Sequence, residues 1–294
     1  MSPFTGSTPR TARWDHLRVD IDRGVATVTL ARPAKLNALT FGAYADLRDL
    51  LAELSRERSV RALVLDGEGR GFCSGGDVDE IIGATLALDT AQLLDFNRMT
   101  GQVVRALREC PFPVVAALHG VAAGAGAVLA LAADFRIADP TTRFAFLFTR
   151  VGLSGGDMGA SWLLPRLTGL GFASDMMLTG RFVAADEALA RGLVSRVTAP
   201  GELAGAALGL AAEVAANSPV SLALTKQVLQ ANTDAPSLAA ALEREAPVQV
   251  VAAHSPDVRE AVAAFRARRA PDFAAARPTE PQHAGDAVPS ATPS

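Results

Sequence analysis

The chain has 294 residues, 49% of them hydrophobic, which is enough to bury the core of one large domain or of one domain with a smaller companion. Its formal net charge of −3 leaves no excess of basic side chains to neutralise a phosphate backbone, so nucleic acid is not an expected partner. The two cysteines, Cys73 and Cys110, make no disulfide framework and lack zinc-ligand spacing, which predicts a reducing, cytoplasmic location and no metal site.

The two ends differ in composition from the centre of the chain. Residues 1–13 are rich in Ser, Thr and Pro and have no apolar stretch, so they predict a disordered N-terminus and no signal peptide. Residues 274–294 are mostly Ala, Pro, Thr and Ser and predict a disordered tail. The longest apolar run, residues 121–133, is too short to span a bilayer, so no membrane association is expected.

The first elements are two strands and a helix. Residues 17–22 and 25–30 are apolar or alternating, and the turn residues between them predict a β-hairpin. Thr40 is placed to cap the helix that follows, and residues 60–65 predict a buried strand. The apolar positions of the helix follow helical spacing: Phe41, Tyr44, Leu47, Leu50, Leu51 and Leu54.

A glycine-rich turn, residues 72–78, comes after the buried strand. It reads Phe-Cys-Ser-Gly-Gly-Asp-Val, and residues 79–82 predict the start of a helix. Glycines at the end of a strand leave backbone N–H groups unpaired and let a ligand approach the main chain. Such a turn is able to hold an oxyanion, although a tight strand-to-helix turn has the same composition.

Strands and helices then alternate. A helix is predicted over residues 90–108, ending before Pro111, because a residue that precedes proline disfavours the helical conformation. Residues 114–118 and 135–138 predict strands, with a buried helix over residues 127–133 between them. This alternation predicts an α/β sheet with crossover helices. Beyond residue 156 the pattern is mostly helical, with helices starting at Ser218-Pro219 and Ser255-Pro256.

Two more glycine-rich segments follow strands. Residues 120–126 lead into a helix that begins near Gly124-Ala125-Gly126, where free N–H groups and the positive end of the helix dipole meet. Residues 151–159 form another such turn and carry one acid, Asp157. Two N–H donors from two different turns are able to clamp the carbonyl oxygen of a thioester as it becomes an enolate.

With these segments in place, the chain resembles the crotonase (enoyl-CoA hydratase/isomerase) superfamily from about residue 17 to residue 273. Each matching piece is short, but all occur in order: Ala31-Arg32-Pro33 with Asn37-Ala38-Leu39, the turn at 72–77, residues 120–126, Leu178-Thr179-Gly180-Arg181 with residues 188–194, and Phe265 with Arg269-Ala270-Pro271-Asp272-Phe273. The resemblance implies an α/β fold, a spiral of β-β-α repeats over residues 14–200, with a helical C-terminal region over 201–273 that mediates trimer formation.

The resemblance also implies a substrate and a binding site. The substrate is an acyl-CoA thioester, with coenzyme A as part of the substrate and no prosthetic group, and the assembly is a homotrimer or a dimer of trimers. The two oxyanion N–H groups fall on Gly76 and Ala125, the second being glycine in much of the family. The positions that line the path of coenzyme A are Lys35, Leu36, Ala38, Ser74, Asp77 and Val78.

The sequence departs from the family at the two catalytic glutamates of the hydratases. Their positions hold Val128 and Phe148, neither of which transfers a proton. The acid that is left is Asp157, in a turn that resembles the acid-bearing turn of the dienoyl-CoA isomerases and, less closely, that of the aryl-CoA dehalogenases. Alternatively, Asp157 is the N-cap of a helix over residues 158–167. The side chains proposed to make its pocket apolar are Phe144, Phe146, Phe148, Met158 and Trp162.

Structural or secondary roles are expected for four other residues. For His119 a structural role in a turn is favoured over catalysis, and for Cys73 a buried apolar role is favoured. Glu80 is a weaker candidate for the acyl pocket, about one helical turn beyond Gly76. Arg150 is able to pair with Asp157 or with a substrate carboxylate, and a structural ion pair is favoured.

The resulting hypothesis is an enoyl-CoA hydratase/isomerase that holds a thioester enolate in an oxyanion hole and uses Asp157 as its single acid/base. One alternative is a hydrolase or ring-opening enzyme in which Asp157 attacks carbon or activates water. The other is a catalytically idle CoA-thioester-binding subunit.

Overall fold

The computed structural model describes residues 8–273. The predicted disordered tail, residues 274–294, lies outside the described residues, as do residues 1–7 of the predicted disordered N-terminus. Within the predicted N-terminal segment, Thr11 donates to the Asp46 carboxylate from its backbone N–H (2.6 Å) and from its hydroxyl (2.8 Å). Within residues 8–273 the backbone packs as two units, which meet in sequence between Ala235 and Pro236. The predicted boundaries at residues 13, 200 and 273 stay predictions.

The first unit is built on a mixed sheet of six strands in the order β1-β2-β3-β4-β6-β9, beside a small sheet in the order β5-β7-β8. Within the large sheet β1 is antiparallel to β2, and the other neighbours are parallel. The strands are β1 (Leu17–Asp22), β2 (Val25–Leu30), β3 (Ala62–Gly67), β4 (Val114–Leu118), β5 (Val121–Ala123), β6 (Phe135–Ala138), β7 (Arg143–Ala145), β8 (Val183–Ala184) and β9 (Arg196–Val197).

The predicted hairpin is confirmed, and its turn explains the register. Arg23 and Gly24 both have positive φ, 46° and 83°, as the tight two-residue loop of a hairpin requires, and Asp22 pairs with Val25. β4 and β6 have the predicted bounds, whereas β3 starts two residues later than predicted. All five residues of β4 are buried, which is why this central parallel strand is a continuous apolar run.

Eight α-helices belong to the described part of the first unit, and three of their starts follow from capping. The Thr40 side chain accepts from Ala43 N–H, Asp89 and Gln92 form a reciprocal capping box, and Ser218 accepts from Ser221 N–H before Pro219. These helices are α1 (Phe41–Leu54), α2 (Thr90–Glu109), α3 (Ala125–Ala132), α4 (Ala160–Thr168), α5 (Leu170–Thr179), α6 (Ala185–Ala190), α7 (Leu203–Ala215) and α8 (Pro219–Asn232).

The core depends on small side chains. Every residue of α3 is buried, and five of its eight residues are alanine or glycine, so other elements approach its backbone closely on all sides. α2 and α4 both pack against α3. The predicted helix after the first glycine-rich turn is one turn of π-helix, Val78–Gly83, capped by the Asp77 carboxylate, which accepts from Asp79 and Glu80 N–H.

The described part of the second unit contains α9 (Leu238–His254) and α10 (Pro256–Arg266). Its chain end folds back on α10 through Glu260, which accepts from both terminal nitrogens of Arg269 and from Asp272 N–H. These bonds hold the pKa of the Glu260 carboxyl at about 2.

No single helix within residues 8–273 is long and apolar enough to cross a membrane. The pair Leu203–Ala215 and Pro219–Asn232, bent by 105°, meets the length and composition criteria when the two helices are taken together.

Candidate active site

A cavity of about 810 Å³ opens in the first unit where the three predicted glycine-rich segments meet. Its walls come from α1, the 74–85 segment, α2, the turn before α3 and the segment that precedes α4. The residues that line it include Tyr44, Ser74, Gly75, Gly76, Val78, Thr100, Gly124, Phe148, Asp157, Met158 and Gly159.

The first turn leaves one backbone donor free. Leu39 N–H donates to Gly75 O and Asp77 N–H donates to Leu39 O, both at 2.8 Å, so the chain on either side of Gly76 is tied to Leu39. The Gly76 N–H lies between these two bonds and has no acceptor among residues 8–273. The Gly76 backbone lines the cavity, so this donor is available to a ligand.

The second turn leaves another donor free at a helix start. Gly124 has φ 49° and is anchored by its N–H to Ala145 O at 2.9 Å, after which α3 begins at Ala125. The Ala125 N–H is the first amide of the helix, and it finds no acceptor in the described chain. The positive end of the α3 dipole lies at the same point.

A short β-bridge brings the two turns together. Cys73 N–H donates to Val121 O at 3.0 Å, and Ala123 N–H donates to Cys73 O at 2.9 Å. Beyond this bridge, a Cβ at Gly75 would lie 3.5 Å from Ala125 N and 3.0 Å from Ala123 O. Gly75 has φ 107°, so a side chain there would also be strained. The glycine therefore lets the two turns approach.

The third segment presents Asp157 to the same cavity, and the N-cap alternative for this residue is wrong. α4 begins at Ala160, its N-cap position is Gly159, and no side chain caps it. Met158 (φ 50°) and Gly159 (φ 85°) form a left-handed turn that separates Asp157 from the helix. The carboxylate is therefore aimed by the turn and is not tied to the helix end.

The surroundings of Asp157 favour its protonated form. Burial raises the pKa of the Asp157 carboxyl above its ordinary value of 3.8, and a hydrogen bond from Met158 N–H opposes this rise in part. No Lys, Arg or His among residues 8–273 forms an ion pair with it. Of the described residues that line the cavity, Asp157 alone carries a carboxylate.

The residues predicted to surround Asp157 are only partly brought together. Phe148 and Met158 line the cavity, whereas Phe144 and Phe146 are fully buried elsewhere in the core. Trp162 lines a neighbouring cavity instead and stacks on the Arg166 guanidinium at 3.9 Å. Val128 is buried in α3 and does not line the cavity.

The six predicted coenzyme A positions divide into two groups. Ser74 and Val78 line the cavity, and the neighbouring loop with Lys35 and Leu36 is joined to it by the bond from Ser74 N–H to Leu36 O at 2.9 Å. Lys35 is exposed and forms a 3.7 Å pair with the exposed Asp79.

Ala38 and Asp77 are buried, 7% and 4% exposed. Arg32 connects them, since its Nη1 donates to Ala38 O at 2.6 Å and to Asp77 Oδ2 at 3.2 Å. The pKa of the Asp77 carboxyl lies below its ordinary value, because the hydrogen bonds from Glu80 and Asp79 N–H and the charge of Arg32 outweigh the opposing effect of burial.

Glu80 and Arg150 take no part in the cavity wall. Glu80 pairs with Arg32 at 3.3 Å on the outside. Arg150 donates to Thr179 O at 3.1 Å and forms no pair with Asp157.

His119 and Cys73 have structural contacts. His119 Nε2 lies 3.2 Å from Gly69 O, at the turn where a structural role was favoured. The Cys73 thiol is fully buried 3.1 Å from Asn37 O, and burial raises its pKa to about 12, so the favoured interpretation of an inert apolar residue fits.

The feature that sequence reasoning missed is Tyr44. Its ring belongs to the apolar face of α1, as predicted, but its hydroxyl lies 4.0 Å from Met158 Sδ, and both residues line the cavity. The signal in the sequence is that Tyr44 is the one phenol on the face of α1 that otherwise carries Leu, Phe and Ala. The described residues contain no cluster of His, Cys, Asp and Glu able to hold a metal ion.

Comparison with known proteins gives consistent likenesses. The family model for enoyl-CoA hydratase/isomerase matches residues 20–276. A Mycobacterium bovis protein assigned as an enoyl-CoA hydratase is 39% identical over 85% of this chain and 89% of its own length. The 1,2-epoxyphenylacetyl-CoA isomerase of Escherichia coli is 36% identical over 86% of this chain and 96% of its own length.

Solved structures agree with these sequence matches. A Streptomyces coelicolor protein assigned as an enoyl-CoA hydratase has a crystal structure with a TM-score of 0.86 and 67% identity, over 93% of this chain and 99% of that one. The crystal structure of an enoyl-CoA hydratase from Bacillus anthracis has a TM-score of 0.82 and 30% identity, and the match covers 88% of this chain and 99% of that one. The predicted crotonase-like α/β fold is confirmed.

Proposed function

The chain belongs to the enoyl-CoA hydratase/isomerase family, and on this premise we propose that it moves a proton on an acyl-CoA thioester with one carboxylate, that of Asp157. The family is one of lyases and isomerases that act on CoA thioesters without a prosthetic group, so the chain is an enzyme of this type. The observation that carries the proposal is that Asp157 supplies the one carboxylate among the described residues of the cavity wall.

The thioester carbonyl oxygen accepts hydrogen bonds from the amides of Gly76 and Ala125. When a proton leaves the carbon next to this carbonyl, negative charge moves onto the oxygen. Two unpaired N–H groups and the positive end of α3 stabilise that charge. Two observations support this role: both donors lack protein acceptors in residues 8–273, and the two turns are in contact through Gly75.

Asp157 acts as a base and then as an acid. Its carboxylate takes a proton from the acyl chain beside the enolate, and the same proton returns to another carbon, so a double bond moves and no atom is gained. Burial raises the pKa of Asp157, which makes its carboxylate a stronger base than an exposed one. A single carboxylate suffices for this shuttle, which favours isomerisation.

Hydration is the second candidate, because the names of several relatives favour it. In that reaction Asp157 guides water onto an unsaturated acyl chain. A nucleophilic role of Asp157 stays a prediction, and single turnover in heavy-oxygen water tests it: label found first in the protein would mean a covalent aspartyl ester.

Coenzyme A runs from the cavity along the loop that holds Lys35 and Leu36. Ser74 and Val78 form the cavity end of this path, and Lys35 is exposed and weakly paired, so its ammonium is able to meet a phosphate. We assign Ala38 and Asp77 the task of holding this wall in place, since both are buried and tied to Arg32.

The assembly is a homotrimer or a dimer of trimers. Large apolar side chains that are exposed in each unit support an interface, among them Leu229 (67% exposed) in the first unit and Leu238 (76%) and Phe265 (85%) in the second. Sedimentation of the full chain tests this, and a monomer would contradict it.

The reaction is tested by exchange of acyl protons with deuterated water, read by mass spectrometry over a panel of acyl-CoAs. Exchange that depends on Asp157 supports the proposal.

A further inference from the structure

We infer that Tyr44 is a specificity-determining residue, whose hydroxyl donates a hydrogen bond to an oxygen atom carried by the acyl group of the substrate. The inference rests on the proposed function, because it places an acyl chain in the cavity that Tyr44 lines. It names a substrate class: CoA thioesters whose acyl part bears a hydroxyl, oxo or ether oxygen.

The Tyr44 hydroxyl lacks a strong acceptor. The side chain is 3% exposed, and within the described residues its hydroxyl contacts Met158 Sδ at 4.0 Å, the outer limit for a weak sulfur acceptor. A buried hydroxyl without a good partner destabilises a protein. Phenylalanine would fill the same space without this cost, and the chain has 13 Phe and a single Tyr.

The ring of Tyr44 is held by aromatic contacts, and its hydroxyl faces Met158, another residue of the cavity wall. It meets the Phe96 ring edge to face, with centroids 5.8 Å apart, and Phe96 in turn meets Phe41 at 5.0 Å. Tyr44, Phe96 and Met158 all line the cavity. The hydroxyl is therefore positioned by the core and presented to a ligand.

The electrostatic surroundings keep this hydroxyl a donor. Burial first, then the charges of Cys73 and Asp157, raise the pKa of Tyr44 well above its usual value of 10.0. A neutral phenol donates its proton to an acceptor oxygen, and the carboxylate-bearing turn at Asp157-Met158 stands next to it. The acyl oxygen would thus bind on the side of the cavity where the proton is moved.

The test compares binding of butyryl-CoA with that of 3-hydroxy-, 4-hydroxy- and 3-oxobutyryl-CoA by calorimetry, in the wild type and in Tyr44→Phe. We expect the wild type to bind at least one oxygenated thioester about three- to tenfold more tightly than butyryl-CoA. Tyr44→Phe should bind butyryl-CoA and that oxygenated thioester equally. Its Tm should be unchanged or higher, because the substitution removes only a weak contact with sulfur.

Thr100→Val is the matched control, since Thr100 also lines the cavity but its hydroxyl already donates to Asn97 O at 3.0 Å. This variant should keep the preference. The inference is overturned if the wild type prefers no oxygenated thioester, if Tyr44→Phe keeps the preference, or if Tyr44→Phe only slows hydration of an unsubstituted enoyl thioester. Absence of acyl-proton exchange by the wild type on every member of the acyl-CoA panel would instead contradict the proposed function.

Discussion

Gly126 packs directly against Cys73, so closely that a Cβ on Gly126 would overlap the Cys73 carbonyl oxygen and lie 2.6 Å from the Cys73 Cβ. Cys73 belongs to the first glycine-rich turn and Gly126 to the first turn of α3. This contact therefore fixes the separation between the two segments that carry the proposed oxyanion donors, the amides of Gly76 and Ala125. The geometry of the site therefore depends on Gly126 having no side chain.

Gly126→Ala should destabilise the protein by about 1–3 kcal/mol and lower activity, because the added methyl forces the two turns apart. Chemical denaturation and the rate on an acyl-CoA substrate measure the two effects. Gly209→Ala is the matched control: Gly209 lies in α7 with open space around the position of its Cβ, so alanine there should stabilise the helix by up to about 1 kcal/mol. Equal stability of the two variants would contradict the packing argument.

Ala125→Pro should lower kcat by about 10²- to 10³-fold while the protein stays folded. Ala125 is the first residue of α3, where proline is tolerated, so the substitution removes the proposed oxyanion N–H and leaves the helix in place. Ala125→Gly keeps the N–H, so its kcat should fall far less than that of the proline variant. Circular dichroism checks the helix. A folded proline variant with the wild-type kcat would show that this amide does not hold the carbonyl oxygen.

Asp157→Asn should raise the Tm at pH 7. The pKa of Asp157 is raised in the folded state by burial, so its ionisation favours the unfolded state. The stability it contributes is fully present below the ordinary pKa of 3.8 and is lost as pH rises through the higher folded-state pKa. The difference in Tm between the variant and the wild type should therefore grow from pH 4 to pH 7. A lower Tm for the variant at pH 7 would indicate that the carboxylate stabilises the fold.

Local rules predicted much of the fold. The cap at Thr40, the hairpin turn at Arg23-Gly24 and the bounds of β4 and β6 follow from turn chemistry and apolar runs, and the structure has them. The family resemblance is confirmed by the likenesses over most of the chain. The cytoplasmic location and the roles of the site residues stay predictions.

What the sequence did not predict depends on side-chain direction. The aspartate before an amphipathic stretch has the pattern of a helix cap, but the left-handed backbone at Met158 and Gly159 inserts a turn between Asp157 and α4. Phe144 and Phe146 point into the core because alternate residues of an extended segment share one side. Tyr44 looked like one more apolar position of α1, and only the surroundings of its hydroxyl distinguish it.

The central claim is that Asp157 moves the proton. Its most direct test is the rate at which acyl-CoA protons exchange with deuterated water in the wild type, in Asp157→Asn and in Glu80→Gln, the last being a control carboxylate outside the cavity that pairs with Arg32. The account predicts that Asp157→Asn slows exchange by about 10²- to 10⁴-fold with unchanged thioester binding, and that Glu80→Gln exchanges like the wild type. Exchange at the wild-type rate in Asp157→Asn would contradict it.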